Sequence, residues 1–246
     1  MRDLRVIGVI PARYSSTRLP GKPLEDINGK SMILRVVEQA ERSKMINEVI
    51  VATDDKRIFD HLKYFGKTAV MTDPEIRTGT DRCYEAVKDL KADIIVNIQG
   101  DEPLLDPETI DSLISVLTNS TEAVCSTPIK KITAEQDIDN SNIVKAVFDK
   151  NMYALYFSRS RIPYNRNYTG NYYKHIGIYA YRSDFLKTFI GLESTMLEKC
   201  ESLEQLRMLE NCYKIKCVEV FKDSTGVDTP EDLNKVRKII SERENR

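Results

Sequence analysis

Short apolar runs alternate with amphipathic stretches along the first half of the chain. Three of the runs lie at residues 6–10, 49–52 and 94–98. Their length and their lack of polar alternation are typical of strands buried on both faces of a sheet. Helical spacing follows in four places, at residues 32–42 with Ser31 as the cap, 55–65 before Gly66, about 80–90 with Thr80 as the cap, and 106–118. Alternation of this kind predicts βαβ units and a largely parallel sheet.

The second half of the chain predicts more strands than helices. Strand patterns occupy residues 122–129, 143–148, 152–158, 172–181 and 215–221. One long helix is predicted over residues 197–211, where residues 202–205 have the form of a capping box. A last helix follows Gly226, with Thr229 as its cap and Pro230 at its first position. With no repeat or flexible linker, the sequence predicts a single α/β domain over residues 1–246.

Composition narrows the class of protein. The 246 residues are 41% hydrophobic, enough for a substantial core, and the formal net charge of -1 argues against nucleic acid as the main partner. No apolar run reaches the length of a membrane span and the N-terminus lacks the pattern of a signal peptide, so we expect a cytoplasmic protein. The five cysteines fit reduced, mainly space-filling side chains, and the two histidines argue against a histidine-ligated metal.

The loop after the first apolar run concentrates positive charge. It carries Arg13, Arg18 and Lys22, together with hydroxyl side chains and Gly21. Fixed cations and free backbone N–H groups beyond the carboxyl end of a buried strand suit a triphosphate. The loop is neither a dinucleotide fingerprint nor a Walker A motif, which disfavours nicotinamide enzymes and P-loop NTPases. A solvated basic turn is the alternative.

Two aspartates are candidate metal ligands. Asp101 follows Gly100 at the end of the third apolar run, where it could hold Mg²⁺ on a phosphate or simply form a turn. Asp228 precedes the cap of the last helix, and capping alone is a sufficient explanation of that motif. Near Thr80, hydroxyls and free N–H groups could read a base or bind a phosphate, although capping is the preferred explanation of Thr80 taken alone.

Polar and aromatic residues of the second half could contact a carboxylate or a sugar-like ligand. Arg159 and Arg161 could pair with a carboxylate, or lie exposed on an edge. His175 shares a predicted strand face with Tyr179, although a structural histidine is the default interpretation. Glu204 and Gln205 fall near the start of the predicted helix, where they could reach a polyhydroxy ligand. Residues 165–173 are predicted to form a mobile loop or lid.

Six motifs, taken together, resemble a known family. They are Pro11-Ala-Arg-Tyr-Ser-Ser-Thr-Arg-Leu-Pro-Gly-Lys22, Gln99-Gly-Asp-Glu-Pro103, Tyr156-Phe-Ser-Arg159, Lys174-His-Ile-Gly-Ile-Tyr179, Glu201-Ser-Leu-Glu-Gln-Leu-Arg207 and Gly226-Val-Asp-Thr-Pro-Glu-Asp232. The chain resembles, over essentially its whole length, the 3-deoxy-manno-octulosonate (Kdo) cytidylyltransferases, and most closely their capsule-type members. The resemblance implies a mixed, mostly parallel sheet flanked by helices, similar to the A-type glycosyltransferases.

The resemblance also implies an activity and a set of roles. CTP and Kdo would give CMP-Kdo and pyrophosphate, with Mg²⁺ as cofactor, in a homodimer whose sugar-binding and dimerisation portion spans roughly residues 125–212. Catalytic roles would fall to Arg13, Lys22, Asp101 and Asp228, with both aspartates holding the metal. Residues expected around the nucleotide are Ala12, Arg13, Arg18, Lys22, Thr78, Thr80 and Gln99. Residues expected around the sugar acid are Arg159, His175, Tyr179, Glu204 and Gln205.

Two alternatives stay open at this point. The substrate could be another sugar acid, such as the 8-amino analogue of Kdo or a nonulosonic acid, and the product could feed lipopolysaccharide or capsule synthesis. The alternative hypothesis from a different functional class is a nucleotide-binding protein without catalytic activity. Ile76 and Arg77 depart from the usual family pattern and leave the contacts to the base open.

Overall fold

The computed structural model describes residues 4–15, 19–167, 170–222 and 225–244. In chain order the strands are β1 (Val6–Ala12), β2 (Asp26–Ile27), β3 (Lys30–Ser31), β4 (Glu48–Thr53), β5 (Ala69–Met71), β6 (Ile94–Asn97), β7 (Ala123–Lys131), β8 (Lys145–Phe148), β9 (Ala154–Ser158), β10 (Tyr173–His175), β11 (Tyr179–Arg182) and β12 (Lys214–Glu219). The helices are α1 (Met32–Ala40), α2 (Lys56–Tyr64), α3 (Gly79–Val87), α4 (Pro107–Thr118), α5 (Glu135–Ile138), α6 (Ser183–Ile190), α7 (Met196–Glu201), α8 (Gln205–Glu210) and α9 (Pro230–Glu244). Among the helices described, none combines the length and hydropathy that a membrane span requires.

The chain divides into two compact units, residues 1–111 with 222–246, and residues 112–221. In the first unit four strands lie in the order β5-β4-β1-β6, and every neighbouring pair is parallel. The apolar side chains of β1 are buried, as expected for the central strand of a sheet covered on both faces. Parallel pairing brings the carboxyl ends of β1, β4 and β6 to one edge, where open α/β sheets bind ligands.

Helix α9 completes the first unit by packing on the start of α1. Seven buried residues form this cluster: Ile27, Met32, Leu104, Val227, Leu233, Val236 and Ile240. Their spacing in α9, three and four residues apart, is that of one helix face. The cluster brings the segment before α9, far along the chain, against the segment that follows β6.

The strands of the second unit form both antiparallel and parallel pairs. Its order is β11-β7-β10-β8-β9 with antiparallel neighbours, and β12 pairs with β7 in parallel. With the parallel strands and helices of the first unit, this confirms the predicted α/β fold class with mixed pairing. Helix caps predicted at Ser31 and Thr229 are also confirmed, since each hydroxyl accepts a hydrogen bond from the backbone N–H three residues later.

Local predictions were wrong in two helical regions. The helix expected over residues 197–211 is two short helices, because Ser202 adopts a left-handed backbone conformation (φ 53°) and ends α7. The capping box lies at Thr195 and Glu198, and not at residues 202–205. Helix α3 is capped by Thr78, whose hydroxyl accepts from the Asp81 N–H at 3.0 Å, whereas Thr80 lies buried inside the helix.

The strand expected over residues 172–181 is interrupted. Strand β10 ends at His175 and β11 begins at Tyr179, with a tight turn in which the Ile178 N–H donates to the Ile176 carbonyl. The aromatic rings still follow one another, with centroids 5.4 Å apart for His175 and Tyr179 and 5.6 Å apart for Tyr179 and Tyr181. All five cysteines lie in the described part of the chain and none forms a disulfide; Cys83, Cys125 and Cys217 are buried, and Cys200 and Cys212 are exposed.

Candidate active site

The basic loop leaves the carboxyl end of β1 and returns through a glycine turn. Gly21 has a left-handed backbone (φ 71°), and its N–H donates to the Tyr14 carbonyl at 3.1 Å, which closes the loop. A side chain at this position would meet the Tyr14 ring at 3.0–3.3 Å, so both conformation and space favour glycine. Lys22 follows directly and points into the unit. Arg18, predicted to contact the nucleotide, lies outside the described residues.

Lys22 joins the two predicted metal ligands. Its Nζ lies 2.7 Å from Asp101 Oδ2, 3.2 Å from Asp228 Oδ1 and 3.0 Å from the Val227 carbonyl oxygen. The backbone adds a further link, because the Val227 N–H donates to the Asp101 carbonyl at 2.9 Å. Asp101 and Asp228 follow Lys22 by 79 and 206 positions in the sequence, and the fold brings both of them to its ammonium group. We call Lys22, Asp101 and Asp228 the carboxylate cluster.

The side chain of Asp228 is not needed to cap α9. Asp232 Oδ2 accepts from the backbone N–H groups of Asp228 and Thr229 and from the Thr229 hydroxyl, at 2.9–3.1 Å. These bonds hold Asp232 ionised, and together they lower its pKa although burial opposes them. The structural explanation of the motif therefore applies to Asp232, whereas the Asp228 carboxylate pairs with Lys22 in the carboxylate cluster.

A cleft of about 360 Å³ opens beside the carboxylate cluster at the carboxyl end of β1. Its walls are Pro11, Ala12, Arg13, Ser15, Lys22, Pro23, Gln99, Gly100, Asp101 and Asp228. Six of the residues predicted from the sequence for nucleotide or metal line this one cleft. Of the described residues, Thr78 and Thr80 are not among its walls, although α3 begins close by, since a side chain at Gly79 would lie 3.4 Å from Pro11.

Two arginines organise the segment between β5 and α3, and sequence reasoning missed this arrangement. Arg82 is fully buried and forms an ion pair with Asp54 at 2.9 Å, and it also donates to the Thr72 hydroxyl. The Ile76 carbonyl accepts from Arg82 at 3.1 Å and from Arg13. Burial lowers the pKa of Arg82, and Asp54 opposes that shift. The segment that departs from the family pattern at Ile76 is therefore tied to Arg13 of the cleft.

The two aspartates that follow β4 have different roles. Asp55 opens the helix predicted from residue 55, since its carboxylate accepts from the Arg57 N–H at 2.9 Å as the N-cap of α2. Asp54 has the different role of neutralising Arg82. Arg82 lies in the first turns of α3 and Asp54 directly follows β4. Only the tertiary fold reveals that they pair.

In the second unit, His175 is held as a neutral imidazole. Its Nε2 lies 2.8 Å from the Thr127 hydroxyl, which also lies 2.8 Å from the Ile178 carbonyl oxygen. The single hydroxyl proton of Thr127 must go to a carbonyl, so His175 donates through Nε2 and its Nδ1 carries the lone pair. Burial lowers the pKa of His175 to about 3. The histidine can therefore accept a hydrogen bond from a hydroxyl group.

We expect the His175 ring to stay neutral over the whole range from pH 8 to pH 5. The unfolded chain binds that proton near pH 6.5 and the folded chain near pH 3, so stability falls as the pH drops below about 6.5. Ring ¹⁵N NMR on a His61→Gln variant, which leaves one of the two histidines, measures this directly. An imidazole that titrates with a midpoint near 6.5 would contradict it.

The other predicted sugar-acid residues also lie in the second unit. Gln205 is 3% exposed, and its Nε2 has no hydrogen-bond partner within the described residues. Burial raises the pKa of Tyr179, which keeps its hydroxyl protonated and able to donate. Glu204 immediately precedes α8 and is partly exposed. A buried amide donor that lacks a partner is costly unless a ligand pairs with it.

Arg159 and Arg161, the two arginines predicted to meet a carboxylate, differ in their surroundings. Arg161 donates to the Tyr172 hydroxyl at 3.1 Å and forms an ion pair with Asp139 at 3.3 Å. Arg159 instead donates to two backbone carbonyls, those of Glu201 at 2.8 Å and Ser141 at 3.2 Å. Since its guanidinium contacts no carboxylate among the described residues, Arg159 is the better candidate for an acidic ligand.

Comparison with known proteins agrees with the fold. A family model described as cytidylyltransferase matches residues 7–215. The 3-deoxy-manno-octulosonate cytidylyltransferase of Thermodesulfovibrio yellowstonii is 50% identical, covering 96% of this chain and 98% of its own length. That of Chloroherpeton thalassium is 46% identical, over 98% and 99%, and the mitochondrial one of Arabidopsis thaliana is 45% identical, over 97% and 84%.

Solved structures also match this chain over nearly its whole length. A CMP:2-keto-3-deoxy-manno-octonic acid synthetase complexed with CTP superposes with a TM-score of 0.94, at 43% identity, over 97% of this chain and 99% of that one. A 4-diphosphocytidyl-2C-methyl-D-erythritol synthase from Anaerococcus prevotii shares the fold, with a TM-score of 0.66 at 15% identity over 97% and 99%.

The parallel sheet and the charged cleft at its carboxyl edge, together with the matching family model, define a nucleotidyltransferase of the cytidylyltransferase class. Within that class, the chain belongs to the 3-deoxy-manno-octulosonate cytidylyltransferase family, the CMP-Kdo synthetases.

Proposed function

We propose that this chain transfers CMP from CTP to the anomeric hydroxyl of Kdo, giving CMP-Kdo and pyrophosphate for lipopolysaccharide or capsule synthesis. The observation that carries the proposal is the carboxylate cluster, in which Asp101 and Asp228 meet at Lys22 on the wall of an open cleft. Identity of 45–50% to relatives of that name, over nearly the whole chain, supports the choice of substrates.

The reaction is a substitution at the α-phosphorus of CTP. The anomeric oxygen forms a bond to that phosphorus, the bond to the bridging oxygen breaks, and pyrophosphate leaves with the electron pair while the hydroxyl proton is released. Such a reaction requires positioning and charge neutralisation more than covalent help from the protein. Arg13 and Lys22 supply positive charge to the triphosphate in this proposal. Ala12 and Gln99, with Thr78 and Thr80 near the start of α3, lie around the cytidine.

The donor set of the carboxylate cluster fits a magnesium ion. Two carboxylate oxygens lie within 3.2 Å of one cationic atom, beside a cleft open to phosphate oxygens and water, and Mg²⁺ prefers oxygen ligands of these kinds. Within the described residues no group of three or more acidic, histidine or cysteine side chains forms a metal site, so phosphate and water would complete the coordination. When bound, Mg²⁺ would neutralise phosphate charge and favour ionisation of the attacking hydroxyl.

The second unit supplies the groups for the sugar acid in this proposal. Arg159 binds the carboxylate of Kdo, because a guanidinium pairs with a carboxylate through two parallel hydrogen bonds. His175, neutral and with a free Nδ1 lone pair, accepts from a sugar hydroxyl. Gln205 donates through Nε2, for which the described residues provide no partner, and Tyr179 and Glu204 provide a further donor and acceptor.

We further propose that the chain forms a homodimer through the second unit, within the portion roughly from residue 125 to 212. Two apolar side chains there are largely exposed, Leu155 at 62% on β9 and Met196 at 68% at the start of α7. Light scattering in solution tests this, and a mass near 28.2 kDa, that of one chain, would contradict it.

Gly100→Ala is expected to weaken both CTP binding and folding. A side chain at Gly100 would lie 2.9 Å from the Pro11 carbonyl oxygen, so the backbone that presents Ala12 and Arg13 to the cleft would have to move. Overpacking of this kind costs roughly 1–3 kcal/mol. Gly226→Ala is the matched control, because no atom lies within 4 Å of its added carbon. Calorimetric titration with CTP and denaturant unfolding measure both effects, and equal results for the two variants would contradict the expectation.

A pyrophosphate-release assay with CTP tests the proposed function. It is run with and without Mg²⁺, in parallel with Kdo, its 8-amino analogue and N-acetylneuraminate. Mg²⁺-dependent release with Kdo is the predicted result. Release with a different acid alone would keep the transfer chemistry and change the sugar substrate, and no release with any acid would favour the non-catalytic nucleotide-binding alternative.

A further inference from the structure

Lys145 is a lysine with no access to solvent. It opens β8, its exposed fraction is 0%, and its Nζ donates to three backbone carbonyls, those of Asn140 at 2.9 Å, Ile143 at 2.6 Å and Arg159 at 2.5 Å. An ammonium group has three N–H donors, so all of them are used. Burying a charge is costly unless it is fully hydrogen-bonded, and here the bonds go to fixed backbone positions.

Glu201 makes the complementary contacts from α7. Its carboxylate accepts from the Arg159 backbone N–H at 2.8 Å and from the Ser158 hydroxyl at 2.5 Å. Its own backbone carbonyl accepts from Arg159 Nε at 2.8 Å. One residue therefore holds both the backbone and the side chain of Arg159.

Arg159 is thus held on both sides by opposite charges. The carboxylate of Glu201 binds its N–H group and the ammonium of Lys145 binds its carbonyl group, and each partner suits the sign of the dipole that it contacts. Among the described residues, the guanidinium uses Nε and Nη1 on the Glu201 and Ser141 carbonyls. Three of its five N–H donors remain for a ligand, enough for a two-point contact with a carboxylate.

We propose that Lys145 and Glu201 are positioning residues, which act through Arg159 to orient its guanidinium toward the carboxylate of the sugar acid. The inference rests on the proposed function, in which Arg159 binds that carboxylate. Neither residue touches the substrate in this account. Preorganised ligand-binding groups lower the cost of binding, and small misplacements of such groups are expensive.

A merely structural role for Lys145 makes a different prediction. A cation that only satisfies a buried loop would lower stability when removed, and would leave the affinity for the sugar acid unchanged. Arg182 provides a matched control inside the same unit, because it also donates to three backbone carbonyls, those of Leu117, Ser120 and Ala123, at 2.5–3.1 Å. Arg182 is not part of the proposed sugar-acid site.

The test measures kcat and KM for Kdo and for CTP in Lys145→Met, Glu201→Gln, Arg159→Met, Arg182→Met and the double variant Lys145→Met/Arg159→Met. We expect Lys145→Met to raise KM for Kdo by about 10- to 100-fold, with KM for CTP nearly unchanged. Glu201→Gln keeps the size of the side chain and should raise the same KM by less. The double variant should be no worse than Arg159→Met alone, because Lys145 acts through Arg159. Arg182→Met should lose stability without a change in KM for Kdo.

The outcomes separate this inference from the proposed function. If the wild-type chain releases no pyrophosphate with a sugar acid, the proposed function fails first. If the wild-type chain is active but Lys145→Met and Glu201→Gln leave KM for its acid unchanged, the positioning role is overturned. Fully additive effects of Lys145→Met and Arg159→Met would overturn it as well. Should Lys145→Met fail to fold, by circular dichroism, the milder Glu201→Gln decides the question.

Discussion

Asp101→Asn is expected to reduce turnover by about 10³-fold or more and to leave the fold intact. The loss follows from the proposed metal role, because a metal bound by carboxylates contributes several kcal/mol to the transition state and an amide cannot replace its charge. The fold should survive, since the Asp101 side chain is 30% exposed and asparagine retains an oxygen for Lys22. Pyrophosphate release under saturating CTP, Kdo and Mg²⁺ measures turnover, and thermal unfolding checks the fold.

Asp106→Asn is the matched control for that variant. Asp106 lies five residues further on, pairs with Lys222 at 3.1 Å and precedes α4, and asparagine is an equally good helix cap. We expect nearly wild-type turnover from it. Near-normal activity in Asp101→Asn would refute the metal role, whereas equal losses in both variants would show that Asp101 acts through general electrostatics.

Arg82→Met is expected to destabilise the first unit by about 3–5 kcal/mol, because it leaves the Asp54 carboxylate buried without its partner. The pair is well shielded from solvent, with side chains 1% and 14% exposed. The same change removes the bonds to Thr72 and to the Ile76 carbonyl, which Arg13 shares, so CTP affinity should fall as well. Denaturant unfolding and CTP titration measure the two effects.

An exposed ion pair on α2 provides the control for Arg82→Met. Lys56 and Asp60 pair at 2.6 Å on the surface of α2, with side chains 80% and 56% exposed. Such pairs contribute little, so Lys56→Met should change stability by less than about 1 kcal/mol. A loss for Arg82→Met as small as that for Lys56→Met would contradict the account of the buried pair.

Much of the fold could be predicted from local patterns. The buried strands β1, β4 and β6 are short apolar runs, and the caps at Ser31 and Thr229 lie where hydroxyl residues precede helical spacing. Parallel pairing then follows from the alternation of strands and helices, and it brings loops rich in charge to one edge. Six residues to which the family resemblance gives a role with the nucleotide or the metal line a single cleft at that edge.

The wrong predictions share a physical cause. The pattern of residues 197–211 favours one helix, yet Ser202 turns left-handed so that Leu203 and Leu206 are buried together with Gln205. At α3 the spacing predicts Thr80 as the cap, but the helix begins at Gly79, so that Thr78 caps it and Thr80 is buried inside it. In both places packing, which no local pattern records, overrides the local preference.

Two pairings between distant residues could not be predicted. Arg82 with Asp54, and Lys145 with the Arg159 carbonyl, join segments whose proximity depends on the completed fold. A signal did exist for Lys145, since a lysine inside the apolar run of residues 143–148 breaks the strand pattern. A charged residue at a core position indicates that its charge is satisfied by hydrogen bonds, but the sequence does not identify the partner residues.

The most direct test of the central claim is ³¹P NMR of the products formed from CTP, Kdo and Mg²⁺ by the wild-type chain. The account predicts that the three CTP signals are replaced by pyrophosphate and one phosphodiester signal, that of CMP-Kdo, in equal molar amounts, and that Asp101→Asn forms neither. Release of CMP with pyrophosphate in place of the phosphodiester, or equal turnover in Asp101→Asn, would contradict it.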